Sequence, residues 1–482
     1  MLATLDRLAA DAAARLRLAV DQAAQKSEAL HRSILSWSTV RIPNVDLIDL
    51  FDRSARVTDE QWLWVRPQDR FGLLGAGAAW SWEATGPDRF AQASAALQSC
   101  LDEAVGDSAA PGPVAMGGFS FAPEQPSGPE WTGFPTGVLV VPELQVRTTG
   151  DESWLTLATM VGPQGRTVED DQRIAALLTF ALAGSSGAIA DLRPHREAAA
   201  HDGVLPLKAE ELLPSSHWKA AVGEAVRAVR HGAFRKIVLA RAVRVRIVRP
   251  EPGAVLRRLR ADYPGCTIFA VSRGGRCFLG ATPEQLVQVR GEHVHTSAVA
   301  GSAPRGATED EDRRLGEMLR SNAKDRIEHA IVVEALREVL SDVCDDLSVA
   351  DAPELLRVSN VQHLFTPIQG RLRDRLNILK LVERLHPTPA VGGFPRTAAL
   401  QWMQEREGLD RGWYAGPIGW IDHAGEGEFA VAIRSAILHG SEAVLYAGCG
   451  IVADSDPEQE YAESALKLRP LLSALGANGA GR

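Results

Sequence analysis

The chain has 482 residues, a net charge of −9, 45% hydrophobic and 23% charged residues. This is a globular composition with enough length for a large core, and its acidity argues against nucleic acid as the main partner. No apolar run is long enough to span a bilayer, so no membrane partner is expected. The 5 cysteines, Cys100, Cys266, Cys277, Cys344 and Cys449, are scattered and form no CxxC pair, which excludes a disulfide framework and a cysteine metal site. The Ala-rich N-terminus carries Asp6, Asp11 and Asp21, which fit neither a transit peptide nor a secretory signal. A cytoplasmic protein is expected.

Residues 1–35 read as one long helix, an extension ahead of the main body. From Trp37 to about residue 182, short β-rich runs alternate with Gly/Pro turns, as in Gln61-Trp62-Leu63-Trp64-Val65, Met116-Gly117-Gly118-Phe119-Ser120-Phe121 and residues 136–144. Residues 184–214 are small, polar and Pro-containing, which marks a surface connector. Ser215 or Ser216 is placed to cap a helix with the apolar stripe Trp218, Val222, Ala225 and Val229. A strand over 236–245 puts Ile237, Leu239, Val243 and Val245 on one face and Lys236 with Val238, Ala240 and Ala242 on the other. A lysine opening a strand is commonly a solvated edge, but these small neighbours leave space in front of it.

Strands over 269–272 and 277–280 lead into Ala281-Thr282-Pro283-Glu284, and residues 300–306 read as a turn after a strand over 293–297. A helix over 322–340 places Asp325, Glu328, Val332, Leu336 and Val339 on one face. Its two acids either continue the buried stripe, which requires a paired charge or a metal, or face outward in a first turn favoured by the helix dipole. His363-Leu364-Phe365-Thr366 and the HPTPAVGGFP segment at 386–395 read as loops. A strand over 429–437 sets Arg434 among Ala430, Ala432 and Ala436, leaving room for a planar carboxylate against the guanidinium.

The segment from Gly448 to Lys467 reads as strand, glycine turn and helix. Asp456 before Pro457 suits an N-cap, and Ser455 with Glu458 has capping-box spacing. Glu460, Glu463 and Lys467 then share a helix face. A solvated face has the same spacing, but amides freed by Gly448 and Gly450 at the helix mouth form an anion seat. An anion seat beside paired carboxylates calls for a divalent cation between them. The helices and strands alternate too irregularly for a Rossmann or TIM pattern, so an α+β fold with large sheets is expected.

Set side by side, these pieces resemble the chorismate-utilising enzymes. The matching strings are Arg235-Lys236-Ile237-Val238-Leu239-Ala240-Arg241, Leu279-Gly280-Ala281-Thr282-Pro283-Glu284, Ala300-Gly301-Ser302, Lys324-Asp325-Arg326-Ile327-Glu328-His329, HPTPAVGGFP, Tyr414-Ala415-Gly416-Pro417-Ile418-Gly419-Trp420 and GCGIVADSDPEQEYAE. The resemblance implies one α+β domain in which two large antiparallel sheets are layered with helices. Residues 1–35 would be a helical extension, 36–214 the N-terminal part of the domain and 215–475 the chorismate-binding catalytic region. It also implies Mg²⁺, with Glu328 and Glu463 as direct ligands and Asp325 and Glu460 as outer carboxylates. Gly301, Ser302, His363, Tyr414, Arg434, Lys467 and the backbone at Cys449 and Gly450 would hold chorismate.

Water-using members resemble one another in carrying lysine where Lys236 stands, whereas ammonia users carry glutamine. The covalent lysine of aminodeoxychorismate synthases is replaced here by Ala300. The chain is therefore most similar to isochorismate synthases, with Lys236 as base and Glu284 as acid, and a monomer without a glutaminase subunit is expected. A salicylate synthase is the nearest alternative. An ammonia-using anthranilate or aminodeoxychorismate synthase component and a catalytically idle homologue are more distant ones. Menaquinone and siderophore pathways are not separated by the sequence.

Overall fold

The computed structural model describes residues 2–107, 111–182, 209–247 and 250–476. The connector expected at 184–214 lies outside these as far as residue 208. The described residues form an α+β body with a 13-stranded and a 10-stranded sheet, packed with helices. Their strand pairings are antiparallel except for the one between Ile34–Ile42 and Val105–Gly106. No helix among them is long and apolar enough to cross a membrane. The N-terminal helix Leu2–Leu30 does not hang free. Ala12, Leu16, Ala19 and Ala23 are buried, and Ser38 Oγ donates to the Ala12 carbonyl at 3.0 Å.

The strand Lys236–Arg246 lies in the larger sheet with alternate faces as its sequence pattern requires. It pairs antiparallel with Glu442–Ile451, setting Val238 opposite Gly450 and Ala240 opposite Gly448. Its other edge takes Gly393–Phe394 at one end and Ala209–Glu211 at the other.

The chain changes sheets twice at neighbouring points. Arg276–Thr282 belongs to the larger sheet and Gln285–Arg290 to the smaller, with Pro283 and Glu284 at the crossing. The stretch expected to be one strand over 429–437 is two. Gly427–Val431 pairs in the smaller sheet and Ser435–His439 in the larger, and Arg434 at the break has φ +52. Periodicity misses this break because apolar and small residues alternate straight through it. The crossings are tied together: Val431 N–H donates to the Glu284 carbonyl at 3.1 Å, Ala281 N–H to that of Arg434 at 3.2 Å, and Thr282 Oγ1 to that of Val431 at 2.7 Å.

Four more local expectations are corrected. Residues 300–304 are not a turn but the end of the strand His293–Pro304, which carries a bulge between Ala300 and Ser302, where Gly301 has φ +74. His363 lies within the strand Val361–Arg371, because its backbone pairs with strands on either side. Residues 448–450 continue Glu442–Ile451 without turning. Their glycines serve close approach, not chain reversal. Neither Ser215 nor Ser216 caps the helix Ser215–Arg230, which starts after Pro214 with no side-chain cap.

Asp456 does cap the helix Pro457–Ala474, accepting from Glu458 N–H at 3.1 Å and Gln459 N–H at 3.0 Å, while Ser455 Oγ turns to Val452 N–H at 3.2 Å. Asp456→Ala should lower stability by about 1 kcal/mol, seen as a lower urea midpoint with an unchanged slope.

Candidate active site

The cavity of interest opens where the two sheets cross. It measures about 70 Å³ and is lined by Glu284, Gly301, Ser302, Glu328, His363, Tyr414, Arg434, Gly450, Glu463 and Lys467, among others. A larger hollow of about 270 Å³ lies beyond Pro283, which lines both. Volume alone would favour the larger one, but the acids and lysines gather at the smaller.

Each acid is placed by its helix. Asn322 Oδ1 accepts from the Asp325 N–H at 3.0 Å and so starts the helix Ala323–Ser341, which buries Glu328 in its second turn alongside Val332 and Leu336. The inward alternative for this face is the one the fold adopts for Glu328. The helix Pro457–Ala474 supplies Glu460, which is buried, and Glu463 and Lys467, which reach the cavity.

Lysines balance three of these carboxylates. Lys236 Nζ lies 2.9 Å from Glu328 Oε1, Lys467 Nζ lies 2.6 Å from Glu463 Oε1, and Lys324 pairs with Glu460. The Lys236 contact is ionic at an angle that makes no hydrogen bond. The side chain is fully enclosed and does not line the cavity itself. Nor do Asp325, Glu460 and Cys449.

Burial followed by the neighbouring Glu328 raises Asp325 to about 6, and burial followed by Glu463 raises Glu460. Burial alone would raise Glu463 too, but Lys467 outweighs it and holds that carboxyl below its ordinary value.

The rest of the cavity's polar lining is equally organised. Burial pushes Glu284 up to about 7 against the pull of Lys236 and Arg434, and the Thr388 hydroxyl bonds to its carboxyl. Arg434 Nη2 lies 3.2 Å from His363 Nε2, and His363 Nδ1 lies 3.1 Å from the Gly301 carbonyl and 3.0 Å from Ser302 Oγ. Burial, with the Arg434 charge beside it, lowers His363 to about 3, so the ring is neutral. Nδ1–H then donates to Gly301 and Nε2 accepts from Arg434. Tyr414 stacks on Tyr446 at 5.1 Å, and burial lifts its hydroxyl to about 12.

Glu328 and Glu463 both line the cavity, and carboxylate oxygens suit a hard cation such as Mg²⁺; Asp325 and Glu460, raised first by burial and then by neighbouring carboxylates, add a repulsion that a cation would relieve. Cys449 Sγ lies within 4.8 Å of ligand atoms of Glu460 and Glu463. It points behind the strand to the Glu460 carbonyl at 3.2 Å, and burial raises its thiol far above the usual range. A protonated thiol is a poor ligand.

Gly450 is what lets the acids in. A Cβ there would fall 2.1 Å from Glu328 Oε1 and 2.9 Å from Lys236 Cε. Arg411 and Tyr446, which also line the cavity, were not singled out by sequence.

The chain belongs to the chorismate-binding enzymes. The profile described as "Chorismate binding enzyme" matches residues 19–476. The salicylate biosynthesis isochorismate synthase of Pseudomonas aeruginosa is 39% identical over 467 residues, covering 96% of this chain and 95% of that protein. Isochorismate synthase MenF of Bacillus subtilis is 35% identical over 475 residues, covering 95% and 97% respectively. Among solved structures, MenF, the menaquinone-specific isochorismate synthase from Escherichia coli, is similar with a TM-score of 0.73 and 25% identity, covering 96% of this chain and 100% of that one.

Gly450→Ala should push Glu328 aside, and a cation held by that carboxylate would then bind about tenfold or more weakly when Mg²⁺ is titrated calorimetrically.

Proposed function

We propose that the protein is a Mg²⁺-dependent isochorismate synthase, an isomerase that adds water at C2 of chorismate as the C4 hydroxyl leaves. One observation carries this: Glu284, raised to about 7, lines the cavity with Glu328 and Glu463, and the fully buried Lys236 sits directly behind Glu328. Relatives of nearly full length that are named isochorismate synthases support it.

Glu328 and Glu463 would hold the cation, with Asp325 and Glu460 behind them. When bound, Mg²⁺ would orient the ring carboxylate and stabilise the charge that develops on it. Arg434, held by His363, takes a substrate carboxylate as a planar partner, and Lys467 adds a second positive charge. Lys236, beside Glu328, would act as the base in its neutral amine form, taking a proton from the attacking water. Glu284, raised so that it still holds its proton close to neutral pH, delivers that proton to the departing hydroxyl. One water enters and one leaves, so the atoms balance.

Purified protein with Mg²⁺ and chorismate should give isochorismate on chromatography. Release of pyruvate with salicylate fluorescence would instead assign the further elimination. Anthranilate formed from ammonium salts would overturn the water-using assignment. Lys236→Ala should abolish turnover while chorismate still binds, by about 10²-fold or more for loss of the base. Wild-type turnover in that variant would end the base assignment.

The acid role has a definite pH sign. A proton donor whose value is raised to about 7 is loaded below that pH and empty above it. kcat/KM should therefore fall about tenfold per pH unit above neutrality. Glu284→Gln should lose both the activity and that limb of the profile.

A further inference from the structure

The Lys236–Arg246 strand has a gap along its second edge. Gly393–Phe394 covers residues 236 and 237, and Ala209–Glu211 covers 243 to 245. Between them, interior backbone groups need partners that no strand supplies. Val238 N–H reaches the Gly392 carbonyl at 2.7 Å. The Ala242 carbonyl accepts from Leu212 N–H at 3.1 Å, and two more groups, the Val238 carbonyl and the Ala240 N–H, are met by a buried ion pair. Glu407, directly after the helix Arg396–Arg406, accepts the Ala240 N–H at Oε1 at 2.7 Å. Arg411 Nη2 donates to the Val238 carbonyl at 2.7 Å and to Glu407 Oε1 at 2.6 Å, and its Nε donates to Glu407 Oε2 at 2.8 Å. Its Nη1 donates to the Val391 carbonyl at 2.8 Å, and the guanidinium covers the Phe121 ring at 4.2 Å. The two side chains are 3% and 6% exposed.

One planar fork thus joins the strand that carries Lys236 to the 388–392 loop. That loop carries Thr388, whose hydroxyl accepts from Ala390 N–H at 3.3 Å and bonds to Glu284. We propose that Arg411 and Glu407 are positioning residues that fix the Lys236 strand relative to the loop beside Glu284. The proposal rests on the roles given above to Lys236 and Glu284. Only a guanidinium serves acceptors on three segments in a single plane; an ammonium has the charge but not the fork.

Arg411→Ala would leave Glu407 buried and unpaired and would endanger folding, so the informative variants are Arg411→Lys and Glu407→Gln in the full chain. For folded Arg411→Lys, kcat for chorismate should fall by about 10²-fold with KM within about twofold, as expected of a misplaced rather than a missing group. Deuterium exchange should accelerate in a peptide covering residues 237–242 and stay unchanged in the rest of the sheet. Glu407→Gln keeps one acceptor oxygen and should fall between this variant and wild type in both measures. Wild-type kcat in folded Arg411→Lys would overturn the proposal. So would a parallel loss of kcat, KM and protection across the whole sheet, which marks a purely structural role. A wild-type chain that turned over no chorismate would sink the proposed function instead, and the exchange measurement would then decide separately whether the pair caps the strand.

Discussion

The site depends on charge balance in a closed space. Asp325, Glu328, Glu460 and Glu463 come from two helices far apart in sequence, and gathering them away from water is unfavourable unless positive charge comes too. Lys236, Lys324 and Lys467 each bring an ammonium to one carboxylate. No ion pair to Asp325 is found among the described residues, and its carboxyl is raised to about 6. The lysines let the chain fold around its acids before any cation arrives. Two of the three then have proposed work of their own, Lys236 on water and Lys467 on substrate.

The second constraint is topological. Glu284 and Arg434 stand where the chain leaves one sheet for the other, and backbone hydrogen bonds between the two crossings fix their separation. Residues at such points are released from the alternation of a strand and can aim into the space between layers. Arg434 does so with a left-handed backbone, and the neutral His363 ring steers its guanidinium.

Much of this was legible in the sequence, for identifiable reasons. The Lys236 strand and the capped helix at Pro457 obey local rules of period and capping, so local sequence reveals them, whereas spacing left the Glu328 face open between inward and outward and the fold turns it inward. Arg434 was picked out for its alanine neighbours, yet its place in a continuous strand was wrong, because a change of sheet leaves the alternation intact. Gly301 and Gly450 were taken for turn glycines. One is a bulge, and the other makes room for a carboxylate from a helix more than a hundred residues away, a contact no local pattern encodes. Arg411 and Glu407 escaped notice because their partners are backbone groups of a remote strand. The resemblance to chorismate-utilising enzymes supplied what spacing alone could not, namely which acids face one another.

Cys449 shows how tightly the last helix is seated. Its sulfur is sealed between its own strand and the backbone of Glu460, with no surface open to solvent. An alkylating reagent has no route to it while the helix Pro457–Ala474 stays docked. Modification of this thiol would therefore be limited by the rate at which the C-terminal helix lifts, making the cysteine a built-in clock for undocking of half the acid cluster.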